Sequence, residues 1–158
     1  MSGKIKHIYI TSAAGEAMRA LTQVSVMPGK GIQGDRYASG QGTFSEQLKG
    51  NPAAELSLIE SEVIDAFNQE HKQAVSYHDF RRNIVTTGIR LNALVGKTFY
   101  IGPIQLRGLR LCEPCAHLAT TVNALVLPHL VGRGGLRAQI LSPGEMTLGD
   151  TFNTSGSA

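Results

Sequence analysis

Apolar and polar residues alternate with a period of two along several short stretches of this chain, the mark of half-buried β-strands. Lys4 to Thr11 is rich in β-branched residues and predicts a first strand. Ala20, Thr22, Val24 and Val26 alternate with Leu21, Gln23 and Ser25 and predict another, ended by Pro28 and Gly29. Gly29 to Gly42 is glycine-rich and predicts an ordered loop. Leu56 to Ile59 predicts a short strand, and Phe80 to Thr86 one that stops at Gly88. Thr98 to Ile101 and Ile104 to Leu111 predict a hairpin turning at Gly102-Pro103. In its second arm Ile104 and Leu106 share one parity, Leu109 and Leu111 the other. The phase changes at Gly108, where a β-bulge is expected. Leu136, Ala138 and Ile140 alternate with Arg137 and Gln139, and Met146 to Phe152 predicts a closing strand pair.

Two stretches have helical spacing instead. Ser61 opens one, with Val63, Ile64 and Phe67 on one face and Glu62, Asp65, Gln69 and Glu70 off it; it should end near His71. The other runs from Cys115, just after Pro114, to about Leu127. Strands, a helix, strands, a helix and strands again lack the regular alternation of a doubly wound parallel sheet. The expected fold is mostly β with inserted helices, a largely antiparallel barrel. One domain is expected over residues 1–152, with a frayed polar tail at 153–158.

A chain of 158 residues can bury its own core without disulfide staples or a structural metal. The net charge of +3 comes without a Lys/Arg run or an RNA-binding aromatic motif, which argues against nucleic acid as the partner. The longest apolar stretch, Ala124 to Val131, is interrupted by Pro128 and too short to span a bilayer, and the N-terminus lacks a signal-peptide core. The expected setting is the cytoplasm, with no membrane partner. There a Cys-x-x-Cys pair reads as chemistry or metal binding before structural disulfide.

That pair lies in Leu111-Cys112-Glu113-Pro114-Cys115-Ala116-His117. Cys115 falls where a helix is expected to start, and the partial positive charge there favours an anion. Its thiol is therefore expected to be largely thiolate, the form needed for sulfur transfer and for soft-metal ligation. Four readings stay open at this point. A redox pair requires a flanking βαβ pattern, which is absent upstream. Structural zinc requires four ligands, and only His117 is adjacent, so zinc would have to be shared across a dimer. A single working cysteine is the third, and two packed, inert thiols the fourth.

Gly29-Lys30-Gly31-Ile32-Gln33-Gly34 matches the dinucleotide pattern G-x-G-x-x-G, but no helix follows it, so a glycine-bent turn is the better reading. Asp35 and Arg36 follow: Asp35 is placed to orient backbone donors and Arg36 to clamp an anion, or the two form a surface ion pair. In Phe80-Arg81-Arg82-Asn83, strand alternation puts Arg81 and Asn83 on one face and Arg82 on the other. Those donors suit a phosphate or a pterin-like heterocycle; a solvated basic edge explains them too. Arg133 to Arg137 offers further anion contacts, or only a glycine turn before a strand. His7, His71, His78 and His129 have no ligand spacing.

Taken in order, these segments resemble the MOSC family, named for the C-terminal domain of molybdenum cofactor sulfurases. The resemblance runs from about Gly31 to Phe152. It rests on the Gly31-Ile32-Gln33-Gly34-Asp35-Arg36-Tyr37 loop, Phe80 to Gly88, Val95-Gly96 with Tyr100-Ile101-Gly102, Cys112 to Cys115, and Gly135 to Asp150. It implies a MOSC-type β-barrel that binds the molybdenum cofactor (molybdopterin) and handles sulfur at Cys115, as a persulfide or as the molybdenum ligand. It implies cofactor contacts from Asp35, Arg36, Arg81, Asn83 and Arg137. In cofactor sulfurases such a domain works with a pyridoxal-phosphate cysteine desulfurase. In the amidoxime-reducing members the matching cysteine ligates molybdenum and the enzyme reduces N-hydroxylated substrates. Those larger members have an additional N-terminal domain, for which this chain leaves no room. Without iron–sulfur cysteines or a flavin motif, any electrons would come from an electron-donor protein.

Overall fold

A computed structural model describes residues 3–12, 17–35, 55–111 and 134–154. Their strands are β1 (Lys4–Ile10), β2 (Arg19–Leu21), β3 (Gln23–Met27), β4 (Gly31–Ile32), β5 (Leu56–Glu60), β6 (Ile84–Thr87), β7 (Thr98–Ile101), β8 (Ile104–Leu111), β9 (Leu136–Ile140), β10 (Gly144–Thr147) and β11 (Phe152–Asn153). Helix α1 (Ser61–His71) follows β5, and 3-10 turns occupy Tyr77–Phe80 and Leu91–Leu94.

Eight strands form one sheet in the order β11-β7-β8-β9-β5-β6-β1-β2, and β10-β3-β4 form a second. Only β5 and β6 run parallel among these pairs. The large sheet curls into a mostly antiparallel half-barrel. Its two sides meet where Lys4 bridges Thr151 and the Ile5 N–H donates to the Asp150 carbonyl at 3.0 Å. Period-two alternation sorts the side chains. Ile8, Leu58, Ile84, Leu106, Leu136 and Ala138 face the interior, together with Val24, Val26, Ile32 and Met146 of the smaller sheet. Tyr9, Ile59 and Val85 face the other way, against Ile64 and Phe67 of α1 and Phe80.

α1 forms where its apolar residues fall on one stripe, and Ser61, Ile64 and Phe67 are its buried residues. It ends as Lys72 takes the left-handed conformation (φ 52°). The Asn68 amide then pins the exit, donating to the Val75 carbonyl at 2.9 Å and accepting from the Val75 N–H at 3.0 Å.

The expected bulge is present: the β8–β9 register shifts between Gly108 and Arg110. Gly108 must be glycine, because a Cβ there would run into the Leu94 carbonyl oxygen. Three expectations are adjusted. The predicted strand from Phe80 begins only at Ile84, because Tyr77–Phe80 winds into a 3-10 turn closed by a Ser76/Asp79 capping box. The segment from Arg19 to Met27 divides at Thr22 into β2 and β3. The closing strands do not pair with each other: β10 joins β3, and β11 joins β7 with Asn153 opposite Tyr100.

Candidate functional site

The site is best built outward from Asn83, which is buried just before β6. Its Oδ1 accepts from the Ser57 N–H at 3.2 Å and from the Ser57 hydroxyl at 3.1 Å. Its Nδ2 donates to the Tyr9 carbonyl at 3.2 Å, and its own carbonyl accepts from the Tyr9 N–H at 2.7 Å. One amide therefore fastens β6 to both β5 and β1.

The same level of the sheet continues beyond Ser57. Ser57 is the cross-strand partner of Arg137 on β9, and Arg137 is the partner of Arg110 on β8. Direct cross-strand partners share a face. A row of Arg110, Arg137, Ser57, Asn83 and Tyr9 thus crosses five strands on the outward side. Arg137 is half-buried and Arg110 exposed. Like charges directly opposite each other disfavour such a pair.

Arg110 was not among the sequence candidates. The bulge was the signal that points to it. Unbroken alternation from Leu106 would send Arg110 inward; the extra residue, Leu109, restores it to the outer face beside Arg137.

The other expected residues fall as follows. Asp35 is buried, and its Oδ1 accepts from the Thr11 N–H at 3.3 Å, two residues along the chain from Tyr9. Asp35 and Asn83 thus both attach to the end of the β1 segment. Arg81 is half-buried in the left-handed conformation (φ 60°), so strict alternation does not extend through Arg81-Arg82-Asn83. Arg82 is buried and turned to structural work: its Nε donates to the Gly134 carbonyl at 3.1 Å and its Nη1 to the Phe80 carbonyl at 3.2 Å. Arg36, Cys112, Cys115, His117 and His129 lie outside the described residues, as does the predicted helix from Cys115 to Leu127.

Connectivity still relates the row to the cysteines. Leu111 and Leu136 are cross-strand partners immediately next to the Arg110–Arg137 pair. The chain that carries Cys112 and Cys115 therefore leaves and re-enters the sheet beside the two arginines, with Arg82 holding the re-entry at Gly134.

At Tyr9 the row meets an aromatic group. His7 stacks on Tyr9 with centroids 5.6 Å apart, and His78 meets the Tyr9 ring edge-on at 5.9 Å. Burial, then the Lys6 charge, lowers the His7 pKa; burial, then Tyr77, raises that of Tyr9. Three carboxylates missed by sequence reasoning also stand out. Glu55 accepts from the Ile140 N–H at 3.0 Å, and Glu60 from the Leu91 N–H at 3.1 Å; burial pushes both pKa values up. Burial acts the same way on Glu62, but the Gly88 N–H at 2.8 Å and the Thr87 hydroxyl at 3.0 Å outweigh it and hold its pKa down. Glu60 and Glu62 line a cavity of about 560 Å³ with Arg90 and Asn92. Glu60 and Glu62 both accept from backbone N–H groups of the Gly88–Leu91 turn, so they read as structure. Among the described residues no group of three His, Cys, Asp or Glu side chains is placed to hold a metal. Nor is any helix there long and apolar enough to cross a membrane.

The model of the MOSC domain family matches residues 45–153. The chain belongs to the MOSC family. The family is associated with molybdenum cofactor binding. The match begins after the Gly31–Tyr37 loop, so that part of the resemblance rests on its own residues. Solved structures agree on the fold. The YuaD protein of Bacillus subtilis aligns with a TM-score of 0.79 at 16% identity, covering 96% of this chain and 94% of that one. YiiM from Geobacillus stearothermophilus gives 0.71 at 14% identity over 98% and 75%. YiiM from Escherichia coli gives 0.67 at 15% identity over 99% and 70%. No curated protein matches the chain.

Proposed function

We propose that this MOSC domain binds the molybdenum cofactor, or receives sulfur for it, through the thiolate of Cys115. Family membership carries the reading. The outer face supports it: the half-buried guanidinium of Arg137 suits an anionic ligand, on a stretch of sheet that the bonds between Asn83 and Ser57 hold in register. Asp35, Arg36 and Arg81 complete the proposed binding set. When bound, the cofactor would supply a soft metal centre for thiolate ligation. As a sulfur carrier, Cys115 would attack the outer sulfur of a partner's persulfide. The S–S bond of the partner breaks, the partner's thiolate leaves, and the persulfide passes to Cys115 with no net oxidation. A pyridoxal-phosphate cysteine desulfurase is the proposed donor.

Two readouts test this. Protein from a cofactor-competent host is analysed for molybdenum and pterin, and protein incubated with a desulfurase and cysteine is weighed intact. The expected result is molybdenum with pterin, or a gain of one sulfur atom, lost in folded Cys115→Ala. Neither signal in the folded wild type, or equal signals in the variant, would overturn the reading.

A further inference from the structure

We infer that a second ligand site lies at the far end of β6 from Asn83, and that it takes a free monocarboxylate with an apolar tail. Asn83 immediately precedes β6, and Gly88-Ile89-Arg90 follows it. There the chain enters the 3-10 turn Leu91–Leu94 beside a cavity of about 660 Å³, a size usual for small-molecule sites. Ile89, Ala93 and Leu94 make one part of its wall apolar. An adjoining cavity of about 370 Å³ shares Ile89 and Leu94 with it and adds Phe99 and Phe152, whose stacked rings have centroids 6.0 Å apart. Side by side, the two suit an elongated apolar body. Cations set the other end of the ligand. Arg90 and Lys97 are exposed on the described lining of the larger cavity, which includes no carboxylate. Arg90 is partly offset by the charge of Glu60, which lines the neighbouring 560 Å³ cavity. Lys97 has no carboxylate within ion-pair distance among the described residues. One uncompensated cation calls for one negative charge, which a carboxylate carries at neutral pH and a phosphate monoester exceeds. Thr98 and Thr154, in the same lining, add hydroxyl donors. None of these residues belongs to the row through Asn83 and Arg137, so the site stands apart from the proposed cofactor site and goes beyond that reading.

Calorimetric titration of the full chain with octanoate near neutral pH, beside hexanoate and the neutral 1-octanol, tests the site. Saturable binding of octanoate is expected. It should be held severalfold more tightly than hexanoate, because its two further methylenes are buried, and more tightly than 1-octanol. Lys97→Gln should weaken octanoate about threefold, while Lys30→Gln, in the exposed β3–β4 turn, should leave it unchanged. Ala93→Phe, at an exposed position of the 3-10 turn, should fill the cavity and abolish binding. If that variant fails to melt cooperatively, Ala93→Leu replaces it and should still weaken binding severalfold. No saturable binding, equal affinity for octanoate and 1-octanol, equal weakening in Lys30→Gln and Lys97→Gln, or unchanged affinity in the Ala93 variants would overturn the inference. Binding that appears only after residues 155–158 are removed would assign the cavity to the chain's own tail and overturn it as well.

Discussion

At the scale of single residues, the buried polar atoms carry the most testable chemistry. Asn83 satisfies groups on Ser57 and Tyr9 at once. Asn83→Ala would leave a buried N–H and a buried carbonyl without that amide, at a cost of about 2–4 kcal/mol. Chemical denaturation checks this, and a change within experimental error would remove Asn83 from its place as the tie between strands. The carboxylates give opposite pH signatures. For Glu55 and Glu60 the folded pKa lies above the unfolded one. The folded state then binds protons more tightly, so their contribution falls as pH rises from the ordinary carboxylate range through the raised pKa. Glu55→Gln and Glu60→Gln should therefore flatten the decline in melting temperature over that window. Glu62 has the reverse sign: its contribution is present above the unfolded pKa and is lost as pH falls through the lowered one. Glu62→Gln should cost stability near neutral pH and progressively less in acid, read from the same melting curves.

At the scale of elements, packing decides which local patterns survive. α1 was legible because the spacing of Ile64 and Phe67 fits one helical stripe, and both are buried in the structure. Phe67→Ala should cost about 3–5 kcal/mol by denaturant unfolding. The bulge was legible from a phase change alone, although its use was not: assigning Arg110 a face requires the register with β9. Gly108→Ala should destabilise by about 1–3 kcal/mol, since the new methyl must displace the Leu94–Val95 backbone. Phe80 was misread as strand because its apolar side chain continues the pattern of Ile84 and Val85. It instead reaches the α1 cluster from a 3-10 turn. Ser76 and Asp79, three residues apart, are the capping signal that marks that turn.

At the scale of the whole molecule, pairing between distant segments is what a linear pattern encodes least. The half-barrel and its antiparallel character follow from many short alternating strands. The parallel β5–β6 pair and the meeting of Lys4 with Thr151 depend on long-range order. Of the candidate binding residues, the sequence marked Asn83 and Arg137, which the fold links through Ser57. It passed over Ser57 and Arg110, because a serine and an arginine within strands have no local signature until neighbouring strands are placed beside them. The resulting account is of a donor-lined sheet face at the root of a cysteine-bearing segment.

Its central claim, an ionised sulfur at Cys115, is tested most directly by the pH dependence of alkylation, followed cysteine by cysteine by mass spectrometry. The account predicts that Cys115 reacts with an apparent pKa well below the ordinary thiol value of about 8.5, while Cys112 does not share that shift. Both cysteines titrating together in the ordinary thiol range, in folded protein, would contradict it.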